Sequence, residues 1–222
     1  MMQHWPDNLN WREWVERFDR MQDRYLVARN ERFQVIVRTV RAVRPEPRRI
    51  LDLGCGTGSL SEVVLDAFPE CTLIGLDLDE SLLALAESRL GRFGQRAILI
   101  CDDLRKDHWV HSVGQFDAAV SATALHWLSA ENLARLYGRL AGVLNPGGIF
   151  LNADHVASEH PAIQVVWHEE KARQLAAEDH SKADTWPEFW KAYATALGAD
   201  ANTMGGNVVG AWEGVEEQLF LW

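Results

Sequence analysis

The sequence predicts an α/β fold, a doubly wound and mainly parallel sheet with helices at both ends of the chain. Three observations predict it: short apolar runs recur through the middle of the chain, stretches with helical spacing separate them, and a glycine cluster in "LDLGCGTGSL" (51–60) directly follows the first run. Strands that alternate with helices and are apolar on both faces belong to a parallel sheet covered on two sides.

The first 45 residues read as helical, with stripes at Trp11, Trp14, Val15 and Phe18 and then at Tyr25, Phe33, Ile36, Val37 and Val40, until RPEP breaks the pattern. RRILDLG (48–54) is the first strand, and SLSEVVLDAF after the glycines places Leu60, Val63, Val64, Ala67 and Phe68 at helical spacing. CTLIGLDLD (71–79) is the second strand; ESLLALAESRLG follows as a helix with Asp79 as N-cap and Gly91 as C-cap. RAILICDD (96–103) and FDAAVSA (116–122) are the third and fourth strands. Leu133, Leu136, Tyr137, Leu140 and Val143 make one stripe of the next helix, NPGG (145–148) reads as a turn, and IFLNADHV (149–156) is the fifth strand. From about Ser158 the chain reads as mostly helical, with a loop at NTMGGNVVG. The expectation is one domain over 1–222: a helical cap (1–45), a sheet core (46–156) and a helical lid (157–222).

Composition excludes several classes. With 47% hydrophobic and 24% charged residues the chain is neither disordered nor fibrous. No apolar run approaches the roughly 20 residues of a bilayer span, and MMQHWPDNLNWREW has no signal-peptide pattern, so a cytoplasmic protein without a membrane partner is expected. The net charge of −10 argues against nucleic acid as a partner, although residues 1–49 hold 11 Arg against 7 acidic residues, a local +4 that reads as ion-paired helix faces. Cys55, Cys71 and Cys101 sit in or beside apolar runs, as small buried hydrophobes in a reducing compartment do. Neither HExxH nor a paired CxxC occurs, so no metal site is expected.

The glycine turn lacks the Lys of a phosphate-cradling P-loop, and Ser59 stands where a dinucleotide fingerprint needs its third glycine. LDLGCGTGSLS, LIGLDLD about twenty residues on, ICDDL, FDAAVSATALHWL and LNPGGIFLNAD, in that order from Ile50 to Asp154, resemble the motif set of the class I S-adenosylmethionine-dependent methyltransferases. The resemblance implies a Rossmann-like fold, S-adenosyl-L-methionine as cofactor, S-adenosylhomocysteine as product and a small-molecule methyl acceptor as partner. It implies that Gly54, Gly56 and Gly58 let the backbone approach the cofactor, with Cys55 and Thr57 contributing main chain, and that Asp52 holds the cofactor's amino end. Asp77 is then the acceptor for both ribose hydroxyls, with Leu78 packing on adenine. Asp102, or its neighbour Asp103, accepts from the adenine amine beside Leu104, and Ser121 faces the methyl group.

SATALHWLS lacks the Asn/Asp-Pro-Pro-Tyr signature of adenine and amide methylators and resembles small-molecule members such as the trans-aconitate methyltransferase group, so a carboxylate acceptor is one expectation. His126 is the candidate catalytic group, as donor or base; the alternative is that His126 and Trp127 belong to a helix start. Trp11, Trp14, Tyr25, Trp167, Trp186 and Trp190 are candidates to line an acceptor pocket, or else to glue helices to the sheet, and Arg29 or Arg32 to pair with an acceptor carboxylate. His155 and His168 read as surface or packing residues. Two other functions remain open: an inactive cofactor-binding module and a nicotinamide-dependent oxidoreductase. Residues 157–222 show no pair of strands to complete the sheet, and VEEQLFLW ends on apolar residues, so a truncated chain or an edge completed by a partner, including a dimer, is expected.

Overall fold

In a computed structural model of the protein, residues 5–6, 8–154, 160–177, 179–201 and 204 are described. Five strands form one all-parallel sheet: β1 (Arg49–Leu53), β2 (Thr72–Asp77), β3 (Ala97–Cys101), β4 (Phe116–Ala122) and β5 (Leu144–Ala153), in the order β3-β2-β1-β4-β5. Eight α-helices are seen among the described residues: α1 (Trp11–Asp23), α2 (Arg29–Val43), α3 (Ser59–Ala67), α4 (Glu80–Leu90), α5 (His108–Val113), α6 (Ala130–Val143), α7 (Pro161–Ala176) and α8 (Trp186–Leu197).

The period-2 pattern of the strands divides the core into two layers. Ile50, Leu73, Ala118 and Val120 face α2, α3 and the end of α4, while Leu51, Leu53, Ile74, Leu76 and Ala119 face α5 and α6. Sequence order reverses between β1 and β4, the crevice at which doubly wound sheets bind ligands. A third cluster lies outside the sheet, where Val15, Phe18 and Met21 of α1 meet Phe189, Trp190 and Tyr193 of α8 over Leu85 of α4. α8 is started by a capping box between Thr185 and Glu188, and Arg17 grips Asp184 through two hydrogen bonds of 2.5 and 3.0 Å. The last described helix, α8, therefore folds back as a roof beside the sheet's carboxyl ends.

Several expectations need correction. Asp79 and Gly91 cap α4 as expected, Asp79 accepting from the N–H of Ser81 at 2.9 Å, but the Gly91 C-cap is right-handed and the chain runs on into a 3-10 turn over Gly91–Arg96. NPGG is not a turn before the last strand; it is a bulge inside β5, whose register jumps from Phe116↔Leu144 to Ala118↔Ile149. Asp117 holds the bulge by accepting from the Asn145 amide at 2.9 Å. α5 has no counterpart among the predicted elements. Cys55 and Cys71 are buried, whereas Cys101 is exposed because it ends β3 at the sheet edge. His155, NTMGGNVVG (202–210) except for Met204, and VEEQLFLW lie outside the described residues. No described helix is long and apolar enough to cross a membrane.

Candidate functional site

The turn after β1 is built from the main chain. The Cys55 N–H donates to the Leu76 carbonyl at 3.0 Å and the Gly58 N–H to the Cys55 carbonyl at 2.8 Å, which folds residues 54–58 back over the end of β2. Gly54 and Gly58 adopt positive φ, and a methyl group on either would meet protein: Ala124 Cβ at 2.5 Å and Leu90 Cδ1 at 2.9 Å. Only Gly56 presents its bare Cα to open space. All three hold the positive φ that a tight turn needs, and the absence of a Cβ at Gly54 and Gly58 also lets the loop after β4 and α4 pack close.

Asp77 braces this turn. Its Oδ2 accepts from the Gly56 N–H at 2.7 Å and its Oδ1 from the Asp79 N–H at 2.9 Å. Asp52, at the end of β1, is fully buried; its Oδ2 accepts from the Ser61 hydroxyl at 2.6 Å, and its Oδ1 has no hydrogen-bond partner. Burial pushes the Asp52 carboxyl up to about 7, against the opposing Ser61 bond and reinforced by the charge of Asp77. Burial also lifts Asp77, to about 6, with the N–H bonds from Asp79 and Gly56 pulling the other way. Two carboxyls with ordinary values near 3.8 are therefore poised close to neutrality. Thr57 Oγ1 is a second buried polar atom without a partner beside them.

These groups open on a cavity of about 210 Å³ at the carboxyl ends of β1, β2 and β4, roofed by Phe18, Gln22, Phe33, Trp186 and Trp190. Nine residues expected at the cofactor lie on its wall: Asp52, Gly54, Cys55, Gly56, Thr57, Asp77, Leu78, Asp103 and Leu104. Gly58, Asp102, Ser121 and His126 do not. Gly58 is turned into the contact with Leu90. Asp102 accepts from the Asp103 N–H at 2.7 Å, and Asp103 is the acid on the wall, gripped by the Arg105 guanidinium at 2.9 and 3.0 Å. Burial opposes the charge on Asp103, but the Arg105 hydrogen bonds outweigh it and hold that carboxyl below its ordinary value. Ser121 is fully buried and donates to the Leu53 carbonyl at 2.7 Å, tying β4 to β1. His126 turns its Nδ1 to Asp154 Oδ1 at 2.6 Å, and its backbone N–H donates to the other carboxylate oxygen at 3.0 Å.

Of the candidate pocket aromatics, Trp186 and Trp190 line the cavity. Trp14 instead packs on Tyr193 at 5.1 Å between ring centroids, Tyr25 accepts from the Trp186 N–H at 3.0 Å, and Trp11 belongs to the cluster between α1 and α8. Trp167 is 47% exposed on α7, which buries no residue, and His168 is exposed on the same helix. Arg29 reaches the cavity, where it donates to Asp19 at 3.0 Å and to the Ser59 hydroxyl at 2.5 Å; Arg32 does not. Missed from sequence were Gln22, Leu82, Arg105, Thr123, Ala124 and Leu128 on the wall. One signal was available: all but Gln22 and Leu82 follow directly on the ends of β3 and β4. Thr123 holds a strained positive φ of 53°, a conformation rare outside glycine.

An unpartnered buried carboxylate oxygen next to a helix N-terminus offers a cation site and an anion site side by side. An α-amino acid group carries that same pair of charges.

Residues 50–148 match the family described as "Methyltransferase domain". That stretch, under half of the chain, is similar to a methyltransferase domain. It is 34% identical over 140 residues to the trans-aconitate 2-methyltransferase of Acidovorax sp. JS42, covering 60% of this chain and 51% of that one. It is 30% identical over 128 residues to the malonyl-[acyl-carrier protein] O-methyltransferase of Geobacter sulfurreducens, covering 58% and 46%. The chain thus spans about half the length of the curated relatives it matches. Two solved structures are similar to this chain at 25% identity. DesVI of Streptomyces venezuelae has a TM-score of 0.54, covering 68% of this chain and 60% of that one. SAM-bound CalS10, an amino pentose methyltransferase of Micromonospora echinaspora, has a TM-score of 0.53, covering 71% and 61%. The parallel sheet with its glycine turn is the Rossmann-like architecture expected.

Proposed function

We propose that this protein transfers a methyl group from S-adenosylmethionine to a small molecule bound under the roof of α1, α2 and α8. The single observation that carries the residue assignment is the Asp52 Oδ1 atom, buried at the cavity wall without a partner, where the cofactor's ammonium supplies the missing donor. The N-terminus of α3 and Arg29, bonded to Ser59, suit the carboxylate of the same group. Asp77 keeps lone pairs for the ribose hydroxyls while bracing the turn, Leu78 and Leu104 flank adenine, and Asp103 accepts from its amine. Gly56 leaves the room that a side chain would fill.

When bound, the cofactor supplies an electrophilic methyl group and a neutral sulfur leaving group, so positioning and exclusion of water do much of the work. Trp127, Thr123 and Ala124 shape the wall on the β4 side. His126, fastened to Asp154, positions that loop rather than touching the reacting atoms. Carboxylate methylation is suggested by the names of relatives half matched by this chain.

Isothermal titration with S-adenosylhomocysteine and with NAD tests this function. Micromolar binding of the first with none of the second is expected; tight NAD binding overturns the proposal. Methyl-label transfer into a metabolite extract separates an enzyme from an inactive module.

A further inference from the structure

Six buried side-chain nitrogen or oxygen atoms lack a hydrogen-bond partner among the described residues, and three of them belong to the cavity wall, on Asp52, Thr57 and Trp190. Asp52 and Thr57 sit on the floor with the glycine turn, where the cofactor's amino-acid end is assigned. Trp190 is on the roof. It belongs to α8, which supplies no part of that turn, and it is 1% exposed. Phe18, Trp186, Phe189 and Tyr193 hold its ring at 5.4–6.5 Å between centroids, so the indole is locked in place. Tyr193, three residues on along the same helix, has its hydroxyl satisfied, donating to the Ser81 carbonyl at 2.9 Å. Trp109 Nε1 also lacks a partner, but that residue is packed into the sheet core away from the cavity. Gln22, half-buried on the same roof as Trp190, makes no side-chain hydrogen bond among the described residues.

Resting on the function proposed above, we infer that Trp190 is a specificity-determining residue, whose indole N–H donates to an oxygen of the methyl acceptor carried on an apolar or ring-shaped body. A hydrocarbon seated against the roof leaves that buried N–H bare, with neither water nor a partner, whereas a hydroxyl, ether or carbonyl oxygen satisfies it. A bound donor with no lone pair leaves it bare as well. Phe18, Phe33 and Trp186 offer faces on which the apolar body packs. The Gln22 amide supplies a second donor on the same roof. Because the surrounding rings fix the indole beforehand, little side-chain freedom is lost when the oxygen arrives. The oxygen is read at the roof, whichever atom of the acceptor takes the methyl group.

The test uses the whole protein, isotopically labelled at nitrogen and saturated with S-adenosylhomocysteine, whose own binding is recorded first; absence of that binding overturns the function proposed above, and the inference with it. Sequential assignment identifies the Trp190 indole N–H signal in the wild-type magnetic resonance spectrum. Phenethyl alcohol and ethylbenzene, which share a ring and a two-carbon arm and differ by one hydroxyl, are then titrated. The Trp190 signal is expected to move downfield with the alcohol and not with the hydrocarbon, a readout that needs no variant. Affinities taken from the other shifting signals, in the wild type and in Trp190→Phe, give a ratio of alcohol to hydrocarbon. The hydrocarbon's stronger aversion to water and the volume lost in the variant cancel when the two ratios are compared. The ratio is expected to fall at least about fivefold in Trp190→Phe. A Trp190 signal that moves downfield on S-adenosylhomocysteine alone assigns the N–H to the cofactor and overturns the inference. So does a signal that the alcohol leaves unmoved or that both probes move alike, binding of neither probe, or an unchanged ratio.

Discussion

Replacing Asp52 with Asn removes a buried charge while keeping the shape and the acceptor for Ser61. Asp52 titrates at about 7 in the folded protein against 3.8 ordinarily. Because the folded value is the higher, the folded state holds an extra proton between those two pH values, and stability declines as pH rises through the window. From pH 5 to about 7 that is two units, worth about 3 kcal/mol at roughly 1.4 kcal/mol each. For a chain of this length about 3 kcal/mol corresponds to roughly 6–12 °C in Tm. Differential scanning of the cofactor-free protein at pH 5 and pH 8 should show the wild type losing that much more than Asp52→Asn across the interval. The variant itself is expected to be the less stable at pH 5, where its amide N–H group lacks an acceptor, at a penalty of about 1–3 kcal/mol. If the two proteins show the same pH slope, Asp52 is not the elevated acid described and the reasoning fails.

Affinity for S-adenosylhomocysteine should fall as pH drops below about 7, by up to about tenfold per unit, since an ammonium needs the ionised carboxylate; calorimetry across pH 5–8 reads this, and a flat profile contradicts it. Gly54→Ala places a methyl group 2.5 Å from Ala124 Cβ at a positive φ, so urea denaturation should show a loss of about 2–4 kcal/mol together with weakened cofactor binding. His126→Ala removes the imidazole contact with Asp154, whose side chain is 1% exposed, and leaves the backbone N–H bond in place. The expected result is a stability loss of about 1–3 kcal/mol with cofactor affinity changed less than threefold. A large loss of turnover at unchanged stability would instead make His126 a catalytic residue.

The strands and the first turn were legible because both follow from local rules. Ile50 to Leu53 must be apolar on two faces, and Asp79 caps α4 through its own side chain. What escaped depends on contacts far apart in sequence. NPGG carries turn chemistry, yet the Asn145 bond to Asp117 keeps it inside β5 as a bulge. Ser121 stands at a strand end like the acids, and only the pairing of β4 with β1 shows its hydroxyl spent on Leu53. Asp102 and Asp103 are indistinguishable by spacing; the difference is made by Arg105 and by which carboxylate the chain turns toward the cavity. Likewise six aromatics had equal claims to the pocket until α8 folded onto α1 and left Trp186 and Trp190 facing it, with Trp167 out on α7. α5 was missed because six residues, HWVHSV, are too few to display a helical period.

The most direct measurement is calorimetric titration of S-adenosylhomocysteine into the wild type and into Asp77→Asn, with circular dichroism confirming that both are folded. Micromolar affinity in the first and at least about a 100-fold loss in the second is the predicted outcome, since the variant weakens both the ribose acceptor and the brace on Gly56. Undiminished affinity in a folded Asp77→Asn protein, or no binding by the wild type at millimolar ligand, would contradict the assignment of this crevice to the cofactor.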